Sequence, residues 1–465
     1  MKLNYENVKI FVLAITIAAF FFLVYINQTV IGIMLLALLL WSLFPKRFII
    51  SSVIIVIILV IFQSSVSIEN LITSVLSTYG TGNLFIIMSG FILAAAMDIT
   101  GLARRIALKI VILLGANQRY ILLSLALANL LIAALSPSTT AKAFMMLPIS
   151  IGFIKALDLK KGSACAAAIM MMCMAANNIS STAFLTATVP NPISATYMSG
   201  AGLKLTWTDW FVMAFPLTVI LLIASWILLE VMFKPDFKRS KKTILGINRI
   251  NKKLGPMKTE EKIVAIIFVI ALLLWISDKY LPYNAGLISL ILSLLLFLPR
   301  IKIFNVRKFG STLPWDSLFL FAAAMYLAKV VEQTRALTPV IKDMIGNKDT
   351  NLPTYALVFL VVIFGLIIHV VFTSTTVYAT IIMPIAIALA NIYGIPVSLL
   401  ALPIAFIAPL ALILPINTIP NIIFYSQGYF SMKQMIKYGI ALSIVSIVLI
   451  MLVGIPYWRF IGLIN

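Results

Sequence analysis

The sequence is short of charge, of acids above all, and of the residues that most often do chemistry. Of its 465 residues only 11% are Asp, Glu, Lys or Arg, 14 are acidic, one is histidine and two are cysteine. A soluble domain of this length needs far more charge to cover its surface, so a water-facing exterior is excluded. Cys165 and Cys173 lie in one Ala/Met-rich apolar stretch, which supports neither a disulfide framework nor a thiolate metal site. They read as small packing residues. A membrane enzyme would gather His, Asp, Glu or Cys near one face. With so few of them, no catalytic residue, metal site or cofactor is expected, and the chain is not read as an enzyme.

What is abundant is apolar: 62% of the chain is hydrophobic and its mean hydropathy is +1.12. Runs such as Val8 to Val24, Thr29 to Phe44, Ile50 to Phe62 and Ile263 to Ile276 approach the roughly 20 residues that cross a hydrocarbon core. The first run lacks a small-residue cleavage pattern and another apolar run follows at once, so residues 1–28 are read as a retained lead helix. The class is an all-α, multi-pass membrane protein in contact with the lipid bilayer.

Net charge is +21, carried by Lys and Arg in a few short loops: Lys46-Arg47, Arg104 to Arg119, Lys155 to Lys161, Lys234 to Lys262, Arg300 to Lys308, and Lys433 with Lys437. That distribution is the positive-inside signature, not a nucleic-acid footprint. It places these loops and the N-terminus in the cytoplasm, with a plasma (inner) membrane as the setting. The stretch 234–262 has too few apolar residues to enter lipid and reads as a basic cytoplasmic linker between two halves, 29–233 and 263–465.

Each half holds an apolar stretch broken midway. Tyr120 to Leu157 is interrupted by Ser136-Pro137-Ser138-Thr139-Thr140, and the stretch after Pro353 by Thr373-Ser374-Thr375-Thr376. Both read as re-entrant helical hairpins, over 120–157 and 353–392, entered from opposite faces by the loop count. After Ser138-Thr139-Thr140 and after Ser374-Thr375-Thr376 the chain reaches Pro148-Ile149 and Pro384-Ile385 at the same spacing. A second match follows: Thr188-Val189-Pro190-Asn191 and Thr418-Ile419-Pro420-Asn421 interrupt apolar segments over 161–199 and 395–426. Matching elements in opposite orientation are the inverted-repeat plan of many secondary transporters.

Unpaired backbone groups cost several kcal/mol each in hydrocarbon, so four interruptions at membrane depth point to one protein-lined cavity. A hairpin's second arm begins with free N–H groups and a positive dipole end, and Ser and Thr hydroxyls add donors for a carboxylate. Two facing tips match a small solute with an anion at each end, hence a dicarboxylate. The plainer reading is that these hydroxyls only cap helices. Lys142 and His369, beside the tips, are candidates for charge compensation, with snorkelling and core packing as their plain alternatives. A cation/proton antiporter or an anion channel is the rival of another class. An antiporter needs a buried carboxylate at its breaks, and none of the four contains Asp or Glu.

These motifs, with Gly101-Leu102-Ala103-Arg104-Arg105-Ile106-Ala107 and Pro314-Trp315-Asp316, resemble the divalent anion:sodium symporter (DASS) family over nearly the whole chain after the lead helix. The resemblance implies carriage of succinate, malate, fumarate, 2-oxoglutarate, citrate or sulfate. It also implies about eleven transmembrane helices plus two hairpins, a dimerising scaffold domain and an elevator-type transport domain. It assigns substrate contacts to Ser138, Thr139, Thr140, Ser374, Thr375 and Thr376, and to Thr188, Val189, Asn417, Thr418 and Ile419 after the breaks. The family's tips read Ser-Asn-Thr, and here both asparagines are replaced by Thr139 and Thr375. Loss of that amide oxygen, with a basic residue at Lys142 as in the exchange branch, favours dicarboxylate-for-dicarboxylate exchange by a homodimer. Sodium- or proton-coupled symport is the alternative, and Na+ is a partner only there.

Overall fold

The computed structural model describes residues 17–25 other than 19, 28–43, 47–63, 67–114, 118–234, 255–278, 284–298, 315–334 and 352–464, with a few isolated positions besides. Most of the lead segment, most of the basic linker and most of the Arg300 to Lys308 loop therefore lie outside the described residues. Among those described, every regular element is a helix.

The helices follow from composition. Phe48–Phe62 is apolar on all sides, so it has no polar face to turn to water; Ile50, Ile57 and Ile61 stand exposed on it. Exposed Phe144, Val231, Ile266 and Leu452 repeat the pattern on other helices, which only a hydrocarbon solvent tolerates. Four stretches are long and apolar enough to cross a membrane: Ile68–Thr100, Trp207–Met232, Thr375–Tyr393 and Met432–Phe460. Among the shorter apolar helices, four belong to the interrupted segments of the two halves. Starts are set by hydroxyl and amide caps: Ser67, Thr81, Ser163, Thr206, Asn284 and Ser431 each accept a bond from the first turn they open. Asp316 does this at a distance, its Oδ1 accepting from the Ile49 N–H at 3.2 Å, so this acid is a cap.

Two short helices, Ala164–Ser180 and Val397–Ile407, form the middle of the molecule. Every residue from Cys165 to Ser180 and from Ser398 to Ile407 is buried. In the first, Ala, Ser and Met permit this: small side chains let other helices approach on all sides, and flexible Met fills what remains. The packing around them is reciprocal. Helix Thr139–Ala156 lies against Ala164–Ser180 and against Ile419–Tyr425, while Thr375–Tyr393 lies against Val397–Ile407 and against Pro190–Gly200. Each hairpin arm thus touches the interrupted helix of its own half and the outgoing piece of the other.

Flanking this centre, Gly82–Thr100 packs on Ala285–Leu294 and Phe48–Phe62 on Trp315–Thr334. Ser89 and Ser289 share a buried hydroxyl contact at 3.0 Å. At the basic end, Arg105 donates Nε to Glu261 at 2.8 Å and its other nitrogens to the Gly255 and Pro256 carbonyls at 2.7 and 3.1 Å. One arginine of the first half thereby holds the chain where it leaves the linker.

Candidate substrate site at the two helix breaks

Each break opens where a short central helix runs out, at Ser181 and after Ala408, and a helix led by proline resumes, at Pro190–Gly200 and Ile419–Tyr425. The carbonyls released there need donors. Asn191 donates its side-chain amide to the Ser181 and Phe184 carbonyls at 2.7 and 2.8 Å. Asn421 donates in the same way to Ala411 and Leu414, at 2.7 and 3.0 Å. In both cases the acceptors lie ten and seven residues back. An amide fits because its two N–H bonds can serve two acceptors at once.

The hairpin tips are built alike. The Ser138 hydroxyl accepts from the Ala141 N–H at 3.1 Å, and Ser374 from the Val377 N–H at 3.4 Å, so both serines are N-caps. Thr139, Thr140, Thr375 and Thr376 are half-buried. Their hydroxyls have no protein partner among the described residues. The plain capping alternative therefore holds for the serines and leaves the threonines available. Pro137 at the first tip sits against Gly90, where a Cβ would meet its ring at 3.5 Å. Asn177 donates to the Thr139 carbonyl at 3.0 Å and steadies the same tip.

Lys142 does not snorkel. It is 0% exposed, and its Nζ donates to Ser181 Oγ at 2.5 Å and to the Ala187 carbonyl at 3.2 Å. An ammonium buried this deeply persists only where dipoles are fixed toward it, and the open carbonyls of the first break are such dipoles. His369 is also buried; its Nε2 lies 2.8 Å from the Ala408 carbonyl, its Nδ1 has no partner among the described residues, and its ring stacks on Tyr378 at 4.1 Å. Each half therefore seats one basic side chain on carbonyl oxygen of its interrupted helix.

The residues after the breaks divide. Thr188 and Thr418 are buried, Val189 is half-buried and Ile419 is exposed. Thr418 caps its helix, accepting from the Asn421 N–H at 3.3 Å. The Asn417 amide is fully engaged: it donates to the carbonyls of His369, Val370 and Phe372 and accepts from the Leu414 N–H. It braces the second hairpin from inside. Reasoning from sequence missed Asn177, Asn178 and Ser181. Asn178 donates to Asn421 Oδ1 at 2.8 Å and links the two breaks. Asn177 and Asn191 keep side-chain oxygens that are buried and accept nothing from the described residues. A run of polar residues closing an Ala/Met helix was the available signal.

Interrupted helices in a lipid-facing shell, with unpartnered hydroxyls at their tips among the described residues and a basic side chain seated at each break, are the construction of a membrane transport protein. The model of the sodium:sulfate symporter transmembrane region matches residues 6–464, and the chain belongs to that family of divalent anion:sodium symporters. It is similar to the sodium-dependent dicarboxylate transporter SdcS of Staphylococcus saprophyticus, 31% identical over 405 residues that cover 81% of this chain and 76% of the relative. The protein of the same description in Staphylococcus aureus is 31% identical over 403 residues, with the same coverage. Among solved structures, the Alcanivorax borkumensis YdaH transporter shares the fold with a TM-score of 0.53, at 13% identity over 85% of this chain and 90% of its own. Neisseria gonorrhoeae MtrF gives 0.52, at 10% identity over 83% of each chain.

Proposed function

We propose that this chain is a secondary carrier that moves small dicarboxylates of the succinate, malate, fumarate and 2-oxoglutarate class across a plasma membrane together with sodium. The observation that carries the substrate class is the pair of tips: each opens a long helix with a serine cap and leaves two threonine hydroxyls free. Free donors at a helix start suit a carboxylate. Two such starts suit a diacid. Substrate contacts are accordingly assigned to Thr139, Thr140, Thr375 and Thr376, with Ser138, Ser374, Thr188, Val189, Thr418 and Ile419 shaping the site.

The sequence alone favoured exchange. Relatives described as sodium-dependent dicarboxylate transporters support the sodium-coupled alternative instead. The buried, unpartnered oxygens of Asn177 and Asn191 agree with it, because spare acceptors beside the first break suit a small cation. Asn177 lies on the Thr139 carbonyl, next to the tip position where the family's own asparagine is missing. Exchange remains the second reading on one observation: Lys142 seats a basic nitrogen at the same break.

On this reading the halves 29–233 and 263–465 are inverted repeats, which the matched Asn191 and Asn421 bonding supports. The N-terminus, lead helix 1–28 and linker 234–262 keep the orientation given by the basic loops. The hairpins and broken helices form a transport domain that moves as an elevator against a dimerised scaffold. Purified protein in liposomes tests the coupling. Labelled succinate accumulates in empty vesicles under an inward sodium gradient; uptake that ignores sodium and requires internal dicarboxylate would overturn symport in favour of exchange.

A further inference from the structure

The tips and breaks do not line every cavity among the described residues. A space of about 1060 Å³ opens elsewhere, among Thr78 and Thr81, Tyr197, Lys329, Pro384 and Asn391. It lies between the outgoing helices Pro190–Gly200 and Thr375–Tyr393 on one side and the flanking helices Gly82–Thr100 and Trp315–Thr334 on the other. Helix Trp207–Met232 begins beside Gly200 and ends at Lys234. The cavity is therefore at the end of the bundle away from the basic loops.

Three features give this space a use. Lys329 is the one charged side chain among the described residues that line it, and it is half-buried with no ion-pair partner among them. An ammonium near the end of an apolar helix is tolerated where it meets water or an anion. The remaining polar lining is neutral hydroxyl and amide, so nothing there competes for the cation. The volume exceeds what a small diacid fills, which makes the space a wet chamber that holds a solute loosely rather than a gripping pocket.

Two helices lead from this chamber to the breaks. Pro384 stands nine residues beyond Thr375 on one helix, about 13 Å at the helical rise. Between them lies a floor: Tyr197 donates its hydroxyl to the Thr380 carbonyl at 2.9 Å, and Thr380 donates to the Thr376 carbonyl at 2.9 Å. A tyrosine that lines the chamber thus crosses to bond the helix between the chamber and the second tip.

We propose that this chamber is a carboxylate-holding antechamber, in which Lys329 takes one carboxylate of an incoming dicarboxylate before the solute passes the Tyr197 floor to the tips. The inference rests on the dicarboxylate reading above and adds a second, outer site to it. Field lines from a single cation in a low-dielectric funnel raise the local anion concentration and act on entry more than on turnover.

Succinate influx from the chamber face tests it. Lys329→Gln raises the KM of influx at least threefold at low ionic strength with maximal rate unchanged, the difference shrinks in high salt, and Lys329→Arg restores the wild-type value. Efflux from the basic face keeps its KM. A reporter independent of transport is Asn391→Cys, since both native cysteines are buried. An anionic, membrane-impermeant thiosulfonate labels it several-fold faster than a cationic one, succinate slows the reaction, and Lys329→Gln removes the anion preference. If wild type carries succinate while Lys329→Gln changes neither influx KM nor labelling, the antechamber is refuted and the transport reading stands; no dicarboxylate transport by wild type would sink that reading itself. A KM effect confined to anionic-lipid vesicles and absent from neutral ones would assign Lys329 to a lipid headgroup and overturn the proposal.

Discussion

The Asn178 side-chain amide donates to the side-chain oxygen of Asn421 at 2.8 Å, joining the last turn of the first central helix to the helix that resumes after the second break. Asn421 in turn holds the Ala411 and Leu414 carbonyls, so one residue satisfies a break and ties it to the other half. Asn191 performs the first task without the second: its Oδ1 is buried and unpaired among the described residues.

That asymmetry predicts unequal costs. Asn421→Ala strips donors from two break carbonyls and leaves the Asn178 amide with only its bond to the Met174 carbonyl, at about 1–3 kcal/mol for each group left bare. Asn191→Ala exposes two carbonyls as well, but it also deletes a bare acceptor, so it is milder. Thermal midpoints in detergent should rank wild type, then Asn191→Ala, then Asn421→Ala. The reverse order of the two variants would show that the bond between the breaks contributes little.

At the tips, stability and binding should separate by residue. Ser138→Ala and Ser374→Ala remove N-caps and lower stability by about 0.5–2 kcal/mol. Thr140→Val and Thr376→Val remove hydroxyls with no partner among the described residues, so the fold is nearly indifferent while succinate binding weakens by about 1 kcal/mol or more. Calorimetry with and without succinate reads both quantities at once. Valine variants that bind normally would reduce the threonines to bystanders.

Sequence showed the breaks because backbone chemistry writes them locally. Ser-Pro-Ser-Thr-Thr and Pro-Asn cannot continue a lipid-facing helix, and the helices do stop there, at Leu135 and Ser180 in the first half and at His369 and Ile407 in the second. Partners could not be read the same way. Nothing in a one-dimensional pattern tells that Asn417 spends its amide on three carbonyls 45 to 48 residues away. Nor does it tell that Lys142, four residues past a tip serine, reaches inward to Ser181 rather than outward to water. Those outcomes depend on which helices the central Ala/Met segment lets close. Its smallness was visible in the sequence; the neighbours it admits were not.

Arg105 offers a test at the basic end. Its guanidinium meets Glu261 at 2.8 Å with side-chain exposures of 8% and 4%, and Glu261 also accepts from the Lys258 N–H at 2.7 Å. Breaking a deep pair by removing one partner costs about 3–5 kcal/mol. This pair sits near the rim of the bundle, so Arg105→Met should cost about 2 kcal/mol, discounted for nearby water. Arg105→Met with Glu261→Gln should recover part of the loss, since no uncompensated carboxylate remains. A double variant as unstable as the simple sum of the two would mean that the charges do not interact and that Arg105 acts only through the Gly255 and Pro256 carbonyls.

Lys142 bears most directly on coupling. A dicarboxylate brings two negative charges into the site, and among the described residues the basic group seated at the first break is the Lys142 amine, held by Ser181 Oγ and the Ala187 carbonyl. Lys142→Met keeps the side-chain length and removes the charge. Ser181 still donates to the Asn177 carbonyl at 2.6 Å, so only the Ala187 oxygen is left bare and the fold should survive. Succinate KM should then rise at least about tenfold, equivalent to 1.4 kcal/mol of lost charge complementarity. Under sodium coupling, raising external sodium recovers part of that loss, because an added cation can take over the vacated carbonyl. Under exchange, sodium does nothing for the variant. A folded Lys142→Met protein with unchanged KM at every sodium concentration would show that the ammonium is a structural strut with no part in holding the anion.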